Sequence, residues 1–196
     1  SSDMSEHTID AVENSKFDQI THVFWRNSNL DFSSVTNLIK SLETSPPEPF
    51  LIRKSDAEDH RHLIFLSEVK DVKKIAQSPK AIKLLWEVAQ VPEFNKNLTN
   101  DHVLLLSKIY EQLISNGQLN NDFISSQIYS LDKVTKDIDT LMQRIASIRT
   151  WTYLSHKNDW LANSNNWQEI SLAIEDKLSD ALNSELTNRF VDKRIS

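Results

Sequence analysis

The sequence predicts an all-α fold, an irregular multi-helix bundle with few or no strands. Three observations carry that prediction. Apolar residues recur at helical spacing along almost the whole chain. Gly117 is the only glycine in 196 residues, far too few for the tight hairpins of an all-β protein. Helix caps and prolines punctuate the apolar stripes at intervals suited to helices rather than strands.

Ser5 to Glu13 reads as a short opening helix, and Trp25 to Asp31 as an irregular connection. Asp31 or Ser33 is expected to cap a helix reaching Leu42, with Val35, Leu38, Ile39 and Leu42 on one face. Pro46, Pro47 and Pro49 then break the chain and mark a candidate boundary. Residues 1–48 are accordingly read as an N-terminal helical segment and connection, and 49–196 as the main helical bundle. Ser55 is expected to open the next helix, with Asp56, Glu58 and Asp59 in a first turn whose dipole favours them and Leu63, Leu66 and Val69 buried. Ser78-Pro79 is a strong start signal, a cap followed by proline at the first helical position, and Pro92 follows the stripe Ile82, Leu85, Trp86, Ala89. Thr99 is expected to cap a helix that Asn116-Gly117 ends. Further helices are expected over Asn121 to Leu131, Asp137 to His156, and from Asn166 onward, where Trp167, Ile170, Ile174, Leu178, Leu182, Leu186 and Phe190 form one stripe. The only strand candidates are Val23-Phe24-Trp25 and Phe50-Leu51-Ile52.

Composition narrows the function classes. With 39% hydrophobic and 26% charged residues the chain reads as a soluble globular protein, not a disordered one. No apolar run approaches the roughly 20 residues of a membrane span, and the polar, acidic start shows no signal peptide, so a cytoplasmic location without membrane contact is expected. The absence of cysteine excludes disulfides, thiolate metal sites and thiol nucleophiles. A phosphate-binding loop or a dinucleotide fold needs several glycines, so the chain is not expected to be an ATP-binding enzyme or to hold a cofactor. The net charge of −6 confines any nucleic-acid contact to a local patch.

Few constellations invite chemistry. His60 and His62 lie two residues apart, which puts them on different faces of a helix, so they read as surface histidines and no metal site is expected. Asp137 and Asp139 stand where a helix begins and read as cap and dipole residues. Glu175, Asp176 and Asp180 lie beside Lys177 on a polar face, and catalytic residues are not expected. Trp86 and Trp167 fall on apolar stripes and read as core. Trp151 sits among Arg144, Arg149 and Tyr153. Interleaved arginines and aromatics can hold a single strand through phosphate contact and base stacking. The same pattern also fits a core helix whose arginines pair with neighbouring carboxylates. Arg189, Lys193 and Arg194 form a second basic group, readable as strand contact or as favourable charge at a helix end.

Several stretches together resemble one family. They are Trp25 to Ser34, Leu84 to Phe94, Asp137 to Leu141 running into Arg149 to Tyr153, Glu175 to Leu182, and Leu186 to Arg194. In this order they resemble the region after the motor of bacterial superfamily 2 helicases, chiefly α-proteobacterial, which are similar to the mitochondrial degradosome RNA helicase. The resemblance implies a C-terminal accessory domain of an ATP-dependent RNA or DNA helicase. Such a region packs on two RecA-like motor domains of the same polypeptide and helps form the single-strand channel. ATP and magnesium would belong to those motor domains, and this chain departs from the family in carrying no motor motif. The chain therefore reads as part of a longer polypeptide. Arg144, Arg149, Trp151, Arg189, Lys193 and Arg194 are the residues expected to touch RNA or DNA, acting as a wall or ratchet against back-slippage. The competing expectation is a helical protein-interaction module that scaffolds a nuclease or another partner.

Overall fold

The computed structural model describes residues 23–55, 57–95 and 99–195. The expected opening helix at Ser5 to Glu13 lies outside them. Among the described residues the chain forms eight helices and one small sheet. In chain order these are β1 (Val23–Trp25), α1 (Val35–Leu42), β2 (Leu51–Arg53), α2 (Glu58–Glu68), α3 (Lys70–Ile75), α4 (Pro79–Ala89), α5 (Thr99–Asn116), α6 (Asn121–Ser130), α7 (Ile138–Ser155) and α8 (Ser164–Ile195). The fold is all-α in character, as expected. Both strand candidates form, and they pair in parallel with Phe24 opposite Ile52.

Local chemistry explains most boundaries. Ser34, not Asp31 or Ser33, caps α1: its hydroxyl accepts the Asn37 amide at 3.0 Å. The Asp31 carboxylate is engaged two residues on, by the Ser33 amide at 2.9 Å. The next helix starts at Glu58 rather than Ser55, behind Ala57, which makes no side-chain cap bond. Asp59 serves its first turn instead, accepting the His60 amide at 2.7 Å. That helix also ends sooner than the apolar stripe implies. Val69 is extended and opens a separate helix, α3, which turns Val72 fully into the core. Ser78 and Asp137 cap α4 and α7 as read from the sequence. Thr99 is the first residue of α5, and its hydroxyl donates to Glu93. Gly117, at φ 74, ends α5 in the left-handed region where glycine carries no Cβ penalty.

One core runs through the described residues. Leu38 and Leu42 of α1 join Leu63 and Leu66 of α2, and the same cluster continues through α4 and α5 to Trp151 and Ile174. The proline stretch is thus a connection within one packed body, and residues 23–48 pack with the rest. Arg26 reinforces the junction. Its guanidinium forks onto Asp59 through bonds of 2.9 and 2.6 Å and lies over the Trp86 ring at 5.2 Å.

Helices α7 and α8 form an antiparallel hairpin. Ser155 meets Gln168, Arg149 meets Glu175, and Asp137 lies within electrostatic reach of Arg189. Because α7 starts at Ile138, the part of α8 beyond Arg189 runs past the end of its partner helix. Phe190 and Val191 are about half exposed there, as is Leu186 just before it, although Leu186 and Phe190 continue the stripe that buries Trp167, Ile174 and Leu178.

Candidate functional site

The six residues expected to contact a nucleic acid fall into two groups. Trp151 is 2% exposed and packs edge-on against Phe123, with ring centroids 5.9 Å apart, so it offers no open face to a base. Arg149 donates from Nε to Glu175 at 2.7 Å, and the half-buried Arg144 donates to the Lys133 carbonyl. For Arg149 and Trp151 the second reading of the segment, a core helix with an arginine paired to a neighbouring carboxylate, describes the geometry. The other three residues share the distal end of α8. Arg189 approaches Asp137, whose carboxyl is held below its ordinary range first by the Thr140 hydroxyl and amide and then by Arg189. Arg194 lies over the Phe190 ring at 4.9 Å, and Lys193 stands beside it in the last turn. Two of the candidate carboxylates are engaged: Asp137 caps α7, and Glu175 holds Arg149.

A different constellation is buried where α2, the 90–95 segment and α5 meet. His62 is 0% exposed, not a surface histidine, and Glu93 and His102 are 6% and 7% exposed. Helical spacing explains half of it. Glu58 and His62 are four residues apart and share the inward face of α2. Glu93 follows Pro92 in the segment between α4 and α5, and its side chain is buried. His102, in the first turns of α5, packs against His62 with ring centroids 4.7 Å apart and the rings tilted by 44°.

Hydrogen bonds fix both imidazoles. The His62 Nδ1 lies 3.0 Å from the Ala89 carbonyl, and the His102 Nε2 lies 3.0 Å from the Val91 carbonyl. A carbonyl only accepts, so each of these nitrogens carries its proton. Burial pushes His102 down to about 4, so its ring is neutral at neutral pH. The remaining nitrogen of His62, Nε2, faces Glu93 Oε2 at 3.5 Å without an aligned hydrogen bond. Thr99 donates to that same oxygen at 3.2 Å. Glu58 Oε1 and Glu93 Oε1 are buried with no hydrogen-bond partner.

A cavity of about 190 Å³ adjoins the cluster. Glu93 and His102 line one side, and Gln127, Ser147, Thr150 and Trp151 line the other. Thr150 ties the two walls together by donating to the Pro92 carbonyl at 3.1 Å.

The sequence reading missed this cluster because it paired His60 with His62. The usable signal was the four-residue spacing of Glu58 and His62. No spacing rule reaches Glu93 or His102, which come from other elements. No protein-family model matches the chain, and neither a curated protein nor a solved structure does.

Proposed function

We propose that this chain is a helical accessory domain of an ATP-dependent RNA or DNA helicase, docking on RecA-like motor domains of its own polypeptide. The observation that carries the docking role is the β1–β2 pair. Parallel sheets are normally covered on both faces, and a lone pair of strands is marginal in water. Here Phe24 is 74% exposed and Ile52 41%, and each strand has one edge unpaired within the described residues. The Arg26–Asp59 fork ties the end of β1 to the first turn of α2. A motor domain offering a sheet edge or an apolar helix face would complete it. The link to helicases rests on the sequence resemblance.

In this reading the strand-contacting part shrinks to the distal end of α8, where Arg189, Lys193 and Arg194 collect. Trp151 then supports the wall from within instead of stacking on bases. Protein interaction without nucleic acid is the second reading. It is favoured by the net charge of −6 and by the exposed Phe190 and Val191, which would suit a nuclease or another protein partner.

The test combines the parent reading frame with two variants. A P-loop lysine motif and an Asp-Glu-x-His type box upstream in the same frame are expected. Phe24→Glu should then release the chain from the purified motor domains. Replacing Arg189, Lys193 and Arg194 together by glutamine should weaken single-stranded RNA binding. It should also flatten the salt dependence, by about 0.7 in log–log slope for each phosphate no longer neutralised. A frame with no motor would overturn the helicase reading. Docking without any salt-sensitive RNA binding would leave the protein-interaction module.

A further inference from the structure

We propose that Glu58, His62 and Glu93 bind a divalent transition-metal ion of the zinc type, clamping the start of α2 to the segment that follows α4. One ligand atom from each of the three residues lies within 4.8 Å of the others. Small side-chain adjustments close such a triangle onto an ion at the 2.0–2.2 Å distances usual for imidazole and carboxylate ligands.

Charge and hydrogen bonding point the same way. The Ala89 carbonyl holds the proton on Nδ1 of His62, which in the neutral ring leaves the Nε2 lone pair facing Glu93 Oε2. Two electron-rich atoms facing each other in a buried site need something electropositive near them. Three buried atoms of the cluster, Glu58 Oε1, His62 Nε2 and Glu93 Oε1, have no hydrogen-bond partner, a costly arrangement for charged groups. A neutral imidazole with two carboxylates carries a charge of −2, which one divalent ion cancels. A proton on Nε2 would pair His62 with Glu93 Oε2 and still leave Glu58 Oε1 and Glu93 Oε1 without a partner.

The surroundings are those of a ligand set held in place. Metal-bound histidines usually donate their other ring N–H to a carbonyl or carboxylate, as His62 does to Ala89. Thr99 orients the Glu93 carboxylate from outside at 3.2 Å. The His102 ring packs on His62 and is itself locked to the Val91 carbonyl. One nitrogen and two oxygens suit zinc, manganese or iron(II). Calcium and magnesium prefer all-oxygen shells. Three protein ligands leave a coordination position for water, and Glu93 also lines the neighbouring cavity.

The test uses the full chain, freed of metal by chelator, then titrated separately with zinc and manganese chloride in a calorimeter. Bound metal is counted after gel filtration. One equivalent bound, a higher melting temperature, and a metal-induced ¹⁵N shift at Nε2 of His62 are expected. Glu58→Gln and Glu93→Gln keep side-chain size and should each weaken binding more than about a hundredfold, beyond the loss typical of outer-shell changes. The wild-type titration stands even if a variant fails to fold. Failure of the wild type to bind either ion stoichiometrically would overturn the proposal. So would binding that both glutamine variants retain, since surface histidines would then hold the ion. A His62 ring that keeps protons on both nitrogens at one equivalent of zinc would overturn it as well.

Discussion

Arg149 on α7 donates its Nε–H to Glu175 on α8 at 2.7 Å, bridging the helical hairpin at mid-length. The Arg149 side chain is 50% exposed and that of Glu175 21%, so water screens the pair. Glu175→Gln is therefore expected to lower stability by less than about 1 kcal/mol in urea denaturation. The same change releases the Arg149 guanidinium and reduces the local negative charge. If α7 lies beside a bound strand, single-stranded RNA affinity at low salt should rise. Unchanged affinity would remove Arg149 from the strand path.

Trp151 has the opposite character. It is 2% exposed and packs on the partly buried Phe123 at the edge of the core. Trp151→Ala should cost about 3–5 kcal/mol, mostly from the cavity it leaves. Its effect should appear as a lower denaturation midpoint before any selective effect on RNA binding. A stable variant with selectively weakened RNA binding would show that the ring reaches the strand after all.

Tyr110 makes the bundle sensitive to alkali. Its hydroxyl donates to the Ala81 carbonyl at 2.8 Å inside the core, and burial pushes the phenol up to about 12 from the usual 10.0. The folded state thus holds this proton more tightly than the unfolded state. The stabilisation is complete below pH 10 and is lost as the pH rises from 10 toward 12, by about 3 kcal/mol in all. Denaturation at pH 8 and pH 11 should show the fall. Tyr110→Phe should remove it at a cost of about 1 kcal/mol at neutral pH for the lost hydrogen bond. Absorbance at 295 nm should show this phenol titrating last.

Gly117 separates backbone strain from packing. At φ 74 it ends α5, its amide donates to Leu113 at 2.9 Å, and a Cβ placed there would meet nothing within 4 Å. Gly117→Ala should cost about 1–2 kcal/mol from the left-handed backbone alone. Gly117→Asn should cost less, because asparagine tolerates that region. Equal costs would place the loss in packing, which the open space at Gly117 argues against.

The helices were legible because their signals are local. Ser78-Pro79, Asp137 and Asn116-Gly117 each act on the few residues beside them, and the structure has helix boundaries at all three. The apolar stripes likewise named the inner faces, down to Trp86 and Trp167. Misplaced boundaries arose where side chains found other partners, as when Asp31 took the Ser33 amide and left the cap to Ser34. The break at Val69 has no glycine or proline to announce it. It follows from Val72 turning into the core, which only the packed neighbours of α3 specify.

The candidate site divides along the same line. Residue order alone determined the helical class, the two strand segments and the four-residue spacing of Glu58 and His62. Tertiary packing decided that Trp151 is core, that Arg149 meets Glu175, and that the apolar stripe of α8 outruns α7. It also decided that Glu93 and His102 close around His62. Periodicity tells which face of a helix turns inward, but not which residue of another element meets it there. Contacts between residues distant in sequence depend on how helices cross, and those crossings are set by the summed packing of every buried side chain.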